Sequence, residues 1–205
     1  MTIYARKLHL FGKPHSRRSR GFSMLESLVA VMVFAFGAIG ATAMQVIATQ
    51  SNYEASQRTQ AVYVATDMIE RIRNNPTVVD SYDNSADNQW TIVGGDTIAT
   101  EPTPDCDTSA CTPQQQAAHD LWRLEQALDG NDTTQATLGA IGGLQDPTGC
   151  IRHTGDGRVE LAVAWHGRRS MSNALAAPGC TGDDDRYGPN SEFRRVLQLR
   201  TYIAP

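Results

Sequence analysis

The chain has 205 residues, enough for one domain of ordinary size with appendages, and a formal net charge of −4. The charge is segregated, because residues 1–21 contain six Lys/Arg side chains and no acid, whereas the remainder holds 12 basic residues against all 22 acidic ones. A nucleic-acid-binding protein carries its positive charge on the folded part, so this distribution argues against nucleic-acid binding. The acidic body is explained by solubility.

A long uncharged segment, residues 27–53, follows the basic one. Its core at 28–48 has 21 residues, and a helix of about 20 apolar residues spans the hydrocarbon of a bilayer. Only Thr42 and Gln45 interrupt this run, so it lacks the polar face of a helix in a soluble protein. Because basic residues precede the run and none follows closely, we expect residues 22–50 to cross the membrane with the N-terminus in the cytoplasm.

Two export signals are alternatives to a retained membrane helix. The small residues at 41–43 resemble a signal-peptidase site, but the apolar run is longer than that of a secretory signal and continues past them. Arg17 and Arg18 suggest a twin-arginine signal, but Arg20 lies where that signal has an apolar residue. We therefore favour the membrane helix.

The helical pattern continues beyond the apolar run, through residues 51–76. Apolar side chains recur there at three- and four-residue steps, with polar residues on the other faces. The predicted stripe consists of Ala55, Ala61, Val62, Ala65, Met68, Ile69 and Ile72. Pro76 is expected to end the helix. We therefore expect one helix from about residue 22 to residue 75, about 80 Å long at 1.5 Å per residue, and its stripe must pack against another part of the chain.

Residues 77–205 are predicted to form a head outside the membrane. Residues 77–111 are rich in Asp, Asn, Ser, Thr and Pro, and we expect irregular chain with at most a short strand near Trp90. A second helix is predicted to begin after Thr112, the N-cap, with proline in its first position. Gly130 is expected to end this helix.

An antiparallel sheet is predicted after a polar loop at 130–149. Alternating apolar residues at 151–153 and 159–165 flank a turn at 156–157, which is the pattern of a β-hairpin. Residues 196–203 form a closing strand. The predicted fold class is α+β, a long N-terminal helix packed on a small antiparallel sheet.

The four cysteines are Cys106, Cys111, Cys150 and Cys180, all in the head. None forms a CxxC pair or has a histidine at zinc-finger spacing, and outside the cytoplasm we expect two disulfides. Three pairings are possible. We predict Cys106–Cys111, which closes a tight loop before the second helix, and Cys150–Cys180, which ties the hairpin to the loop before the last strand.

The head contains no recognisable catalytic set. His119 lies beside Asp120 in the predicted helix and His166 ends a strand, and we assign both to surface or satisfied structural positions because neither has a partner at a recognisable spacing. The acidic segments 83–88 and 182–186 are interpreted as solvated loops, since the first lacks the glycine and glutamate of a calcium loop. We predict no enzyme, no cofactor and no metal ion.

The segment 21–26, GFSMLE, joins the basic residues to the apolar run. In that setting it resembles the prepilin processing site of type IV pilins and of the pseudopilins of type II secretion. The resemblance implies that prepilin peptidase cleaves after Gly21, removes residues 1–21 as a leader and methylates the new amine of Phe22. Glu26 is then the fifth residue of the mature chain.

Later segments are similar to the PilV group of minor pilins, which modify or prime type IV pili. These segments are the helix end ATDMIERIRNNP, the hairpin containing GCIRHT and VELAVAWHGR, and the final strand. The chain departs from the family in two ways: a leader of 21 residues is long, and the apolar run has no proline. Only Gly37 and Gly40 can weaken the membrane helix.

The resemblance implies the pilin fold and a function in assembly. The expected protein is a minor pilin that joins other minor pilins and the major pilin in a priming or tip complex, promoting pilus assembly, twitching motility and adhesion. It would sit in the inner membrane with a periplasmic head before entering the filament. The alternatives are an I-type minor pseudopilin of type II secretion, whose head is usually smaller, and a membrane-anchored periplasmic enzyme or sensor.

Glu26 is a lone carboxylate near the start of the membrane helix, where an ionisable residue suggests a function. Cleavage after Gly21 would create a positive amine on Phe22 of every subunit, at the depth of a neighbour's Glu26. An opposite charge favours the ionised carboxylate and offsets its desolvation. The alternative is that Glu26 extends to the cytoplasmic headgroups, and both states are compatible at different stages.

Overall fold

A computed structural model gives the architecture, and it describes residues 21–83, 90–94, 97–98, 100–131, 134–135, 139–140, 142–171, 180 and 185–204. Most of the predicted leader, and most of the two acidic segments at 83–88 and 182–186, lie outside the described residues. The chain divides into two compact units, one up to Val46 and one from Ile47 onward.

The long predicted helix is present as α1, Met24–Asn74. It continues through Gly37 and Gly40 without a break. The hydroxyl of Thr42 donates to the carbonyl oxygen of Ala38 at 2.6 Å, so the helix itself satisfies this polar group. An uninterrupted backbone ladder is what an apolar span requires, because hydrocarbon offers no other hydrogen-bond partner.

The buried face of α1 begins at Gln57 and differs in part from the predicted stripe. Its members are Gln57, Ala61, Val64, Ala65, Met68, Ile69 and Ile72. The prediction was wrong for Ala55 and Val62, which are exposed, and it missed Val64. At 100° per residue, Ala55 and Val62 lie to one side of the arc that the buried residues share, and only the position of the sheet decides which side is covered.

Three helical segments lie in the described part of the head, and one of them is the short 3-10 helix Asp185–Tyr187. A short 3-10 helix, Pro76–Ser81, follows α1 in a region predicted to be irregular. The second predicted helix is confirmed as α2, Pro113–Asp129. Thr112 and Gln115 form a reciprocal capping box at its start, and Gly130 ends it with φ of 77°, a conformation that favours glycine.

Six strands lie in the part of the head that the structure describes. They are β1 (Thr91–Val93), β2 (Thr134–Gln135), β3 (Gly139–Ala140), β4 (Thr148–Thr154), β5 (Arg158–His166) and β6 (Arg194–Tyr202). Strands β1, β4, β5 and β6 form an antiparallel sheet in the order β1-β4-β5-β6. The hairpin and the closing strand are therefore confirmed. The prediction of an unbroken loop at 130–149 was wrong, since β2 and β3 pair with each other there.

The core of the second unit lies between the buried face of α1, α2 and one face of the sheet. Val159, Leu161 and Val163 alternate along β5 and point into this core, as the period of two in the sequence predicts. The opposite sheet face is covered locally around Cys150 and Ala162. The α+β architecture expected from the sequence, a long N-terminal helix with a small antiparallel sheet, is confirmed.

Candidate functional site

The segment before α1 is short and open. The hydroxyl oxygen of Ser23 accepts a hydrogen bond from the amide of Leu25 at 3.3 Å, as an N-cap residue does. Gly21 and Phe22 therefore precede the helix as non-helical chain. A Cβ at Gly21 would have no atom within 4 Å, and the side chain of Phe22 is 84% exposed. Both residues that flank the Gly21–Phe22 bond are therefore exposed.

Glu26 lies in the first turn of α1 and is exposed. Among the residues that the structure describes, no cation forms an ion pair with it. The amides at a helix start carry partial positive charge, which favours a carboxylate in the first turn. Glu26 therefore suits the first turn of the helix, and its exposed side chain is open to an external amine.

The first unit presents apolar side chains on all sides. Its exposed large residues include Leu28, Val31, Met32, Phe34, Phe36 and Ile39. Helix α1 is long and apolar enough to cross a membrane, with mean hydropathy 2.1 in its most apolar window and none of that window buried. A surface of this kind is stable in lipid or against other apolar helices, and not in water.

The end of α1 is joined to α2 by a buried polar network, which the sequence did not predict. The hydroxyl of Tyr82 donates to a carboxylate oxygen of Asp120 at 2.7 Å. Gln116 and Arg71 donate to the other oxygen of that carboxylate at 2.9 and 3.2 Å. The Asn75 amide donates to the hydroxyl of Tyr82 at 3.2 Å. Burial, and then the hydrogen bond to Asp120, raise the pKa of Tyr82 well above its ordinary value, so this hydroxyl stays a donor.

A second polar contact ties the start of the buried face to the last strand. The Arg195 guanidinium lies 3.2 Å from the Glu54 carboxylate, which also accepts from the backbone amide of Arg168 at 2.6 Å. The guanidinium of Arg168 stacks over the Tyr53 ring at 4.0 Å. These contacts fix α1 against the head at the end nearer the membrane segment.

Two disulfides close the loops of the head, and they join the same pairs that the sequence analysis favours. Cys106 is joined to Cys111 with the Cα atoms 5.6 Å apart, and Cys150 to Cys180 with the Cα atoms 5.8 Å apart. The first pair lies just before α2. The second anchors β4 to the segment before β6.

His119 does not occupy the position that the sequence suggested. Its side chain is almost fully buried, yet neither ring nitrogen has a hydrogen-bond partner among the described residues. Its Nε2 atom faces the carboxylates of Glu101 and Asp105 at 3.7 and 3.8 Å. The prediction of a surface or satisfied structural histidine was therefore wrong. The sequence spacing of Glu101, Asp105 and His119 matches no known motif. The loop before α2, which contains Pro104 and the Cys106–Cys111 disulfide, brings them together.

Comparison with known families agrees with these features. Residues 16–42 match the family model of the prokaryotic N-terminal methylation motif, and residues 43–122 match that of the type IV pilin Tt1218. Together the two matches extend over residues 16–122 and support membership of the type IV pilin family. No curated protein and no solved structure matches this pilin.

Membership gives Gly21, Phe22 and Glu26 a context. The methylation motif spans all three residues and implies that prepilin peptidase processes this pilin for assembly. With its exposed apolar helix, the protein is a membrane-anchored pilin, and the family is structural rather than catalytic.

Proposed function

We propose that this pilin is a minor pilin of the PilV group, which assembles with other minor pilins and the major pilin into a priming or tip complex of a type IV pilus. The observation that carries the proposal is the apolar first half of α1. It is exposed all round and follows directly on the processing motif. Such a helix needs either a bilayer or neighbouring helices around it. The bilayer would hold the subunit before assembly, and the neighbouring helices would surround it in the assembled complex.

The proposed organisation follows from the sequence and the helix. Residues 1–21 are the cytoplasmic leader, 22–50 the part of the helix that crosses the inner membrane, 51–76 its amphipathic part and 77–205 the periplasmic head. Prepilin peptidase cleaves after Gly21 and methylates Phe22.

Glu26 is proposed to pair with the amine of Phe22 on a neighbouring subunit during assembly. Cleavage creates the positive charge on the amine of Phe22. Glu26 lies close to Phe22 at the start of the helix, so the carboxylate and the amine are at a similar depth in the membrane. The pair would lie in a dry environment, where opposite charges attract more strongly than in water. In the bilayer before assembly, the same carboxylate reaches the headgroups.

The test is deletion of the gene, followed by counting of surface pili and measurement of twitching motility. We expect both to fall and the intact gene to restore them. Unchanged piliation and motility would contradict the proposal, and a loss of protein secretion with normal pili would identify a pseudopilin of a secretion system instead.

Processing is tested separately by the mass and N-terminal sequence of the membrane-bound protein. The mature chain should begin at N-methylated Phe22. An uncleaved N-terminus would show that the segment is a plain anchor, as in a membrane-attached enzyme or sensor.

A further inference from the structure

The cluster of Glu101, Asp105 and His119 has no part in the assembly proposal. Helix α2 carries His119 on its inner side, with the ring 1% exposed. Glu101 and Asp105 come from the loop before α2 and lie at the edge of the head, partly open to solvent. One ligand atom from each residue lies within 4.8 Å of the other two.

The imidazole of His119 lacks the partners that a buried polar group requires. Leaving such a group without a hydrogen bond is unfavourable, because burial removes the water that would otherwise bind it. Its Nε2 atom points at the two carboxylates, but 3.7 and 3.8 Å are too long for hydrogen bonds, whose heavy atoms lie about 2.7–3.2 Å apart. The nitrogen thus faces two carboxylate oxygens that lie beyond hydrogen-bond distance from it.

The loop before α2 fixes the carboxylate of Asp105 through hydrogen bonds. An oxygen of Asp105 accepts from the Asp107 amide at 2.8 Å, and the other accepts from the Thr108 hydroxyl at 2.8 Å. The Cys106–Cys111 disulfide closes the same loop. Asp105 is therefore positioned before any ligand arrives.

We propose that His119 Nε2 and the carboxylates of Glu101 and Asp105 bind a divalent transition-metal ion, Zn²⁺. Ligand atoms on a tetrahedral zinc ion with bonds of about 2.0–2.1 Å lie about 3.4 Å apart, close to the spacing observed here. Imidazole favours zinc and its neighbours over calcium or magnesium. The exposed side of the cluster leaves the fourth position to water.

Zinc at this position satisfies the buried imidazole and neutralises two adjacent carboxylates. It ties the loop that holds the first disulfide to α2, and so stabilises one surface of the head. The proposal is independent of the assembly function, because it concerns only residues of the head.

The test uses the full-length chain in detergent, purified without a polyhistidine tag and dialysed against a limiting zinc concentration. Metal analysis should find one tightly held zinc ion per chain, and a competitive titration gives its affinity. Glu101→Gln and Asp105→Asn each remove one charged ligand from the partly exposed side, and each should weaken zinc binding about tenfold or more.

The matched control is Asp107→Asn, which removes the same charge from the same loop. The Asp107 side chain pairs with Arg123 and takes no part in the cluster, so the variant should bind zinc as the unaltered chain does. His119→Gln should abolish the site. His119→Gln alters a buried side chain and can fail to fold. In that case the conclusion rests on the two carboxylate variants, whose fold is checked by circular dichroism.

X-ray absorption of the zinc-loaded protein should show nitrogen and oxygen ligands without sulfur, because all four cysteines form disulfides. The proposal is overturned if the chain retains no zinc, or if Glu101→Gln and Asp105→Asn bind it as tightly as Asp107→Asn does. The first result would mean that His119 and the two carboxylates do not hold a metal ion, and the second that zinc binds elsewhere.

Discussion

Loss of the hydroxyl of Tyr82 should weaken the contact between the end of α1 and α2. In Tyr82→Phe, the carboxylate of Asp120 loses its closest donor, at 2.7 Å, but keeps Gln116 and Arg71. A hydrogen bond to a charged acceptor contributes about 1.5–3 kcal/mol. Because two donors remain on Asp120, we expect a loss near the lower end, about 1.5 kcal/mol in the free energy of unfolding.

Asp120→Asn should cost more than Tyr82→Phe. The amide group of asparagine cannot accept from Arg71 and Tyr82 at once, and the side chain at this position is 3% exposed. Arg71 retains Asp67 and partial contact with solvent, so its charge is not stranded. We expect a loss of about 3 kcal/mol. In the double variant, the loss of free energy of unfolding should be about 1 kcal/mol smaller than the sum of the two single losses. Both single variants remove the same hydrogen bond between Tyr82 and Asp120.

The assay is urea unfolding of the detergent-solubilised protein, followed by tryptophan fluorescence. With a urea dependence of about 1–3 kcal/mol per molar, a loss of 1.5 kcal/mol lowers the midpoint by about 0.5–1.5 M. Tyr63→Phe is the matched control, because Tyr63 lies on α1 and is 74% exposed. It should change stability by less than about 0.5 kcal/mol. If Tyr82→Phe behaves like Tyr63→Phe, or if the double variant is strictly additive, the network does not stabilise the head as argued.

Three further predictions test other parts of the molecule. Val64→Asp should destabilise the head by about 3 kcal/mol or more, because it buries an unpaired carboxylate. Val62→Asp, on the exposed side of α1, should change stability little. Urea midpoints in the reverse order would favour the buried face predicted from the sequence. Glu26→Ala should leave membrane insertion intact but reduce incorporation into sheared pili, whereas normal incorporation would favour a headgroup-facing carboxylate. Replacing Cys150 and Cys180 by serine should lower the free energy of unfolding by about 3.6 kcal/mol, since the two residues are 30 apart in sequence. Loss of the shorter Cys106–Cys111 loop should cost about 2 kcal/mol. Non-reducing peptide mapping that links Cys150 or Cys180 to another cysteine would contradict the pairing.

The local elements of this fold could be predicted because short-range rules govern them. Thr112, Pro113 and Gly130 mark the ends of α2 through capping and backbone geometry alone. Alternation along β5 and the turn at Gly157 identify the hairpin, since a period of two places apolar residues on one face. The segment Pro76–Ser81 gave no such signal, because one turn of 3-10 helix has no measurable period.

The candidate sites divide in the same way. Gly21, Phe22 and Glu26 were found from the sequence because processing and membrane insertion depend on a contiguous segment, which one family model also matches. The residues near His119 were not found, because Glu101 and Asp105 approach it only through the course of a loop with no periodic pattern.

The residue order specifies the long apolar helix, the N-terminal methylation motif and the main strands, since each of these depends on neighbours along the chain and on the choice between water and lipid. Packing settles the rest. Contacts between residues far apart in sequence decide whether Val62 or Val64 faces the sheet. They also decide which donors bind Asp120 and whether His119 has a hydrogen-bond partner. Those contacts arise only when α1, α2 and the sheet bury their apolar surfaces together.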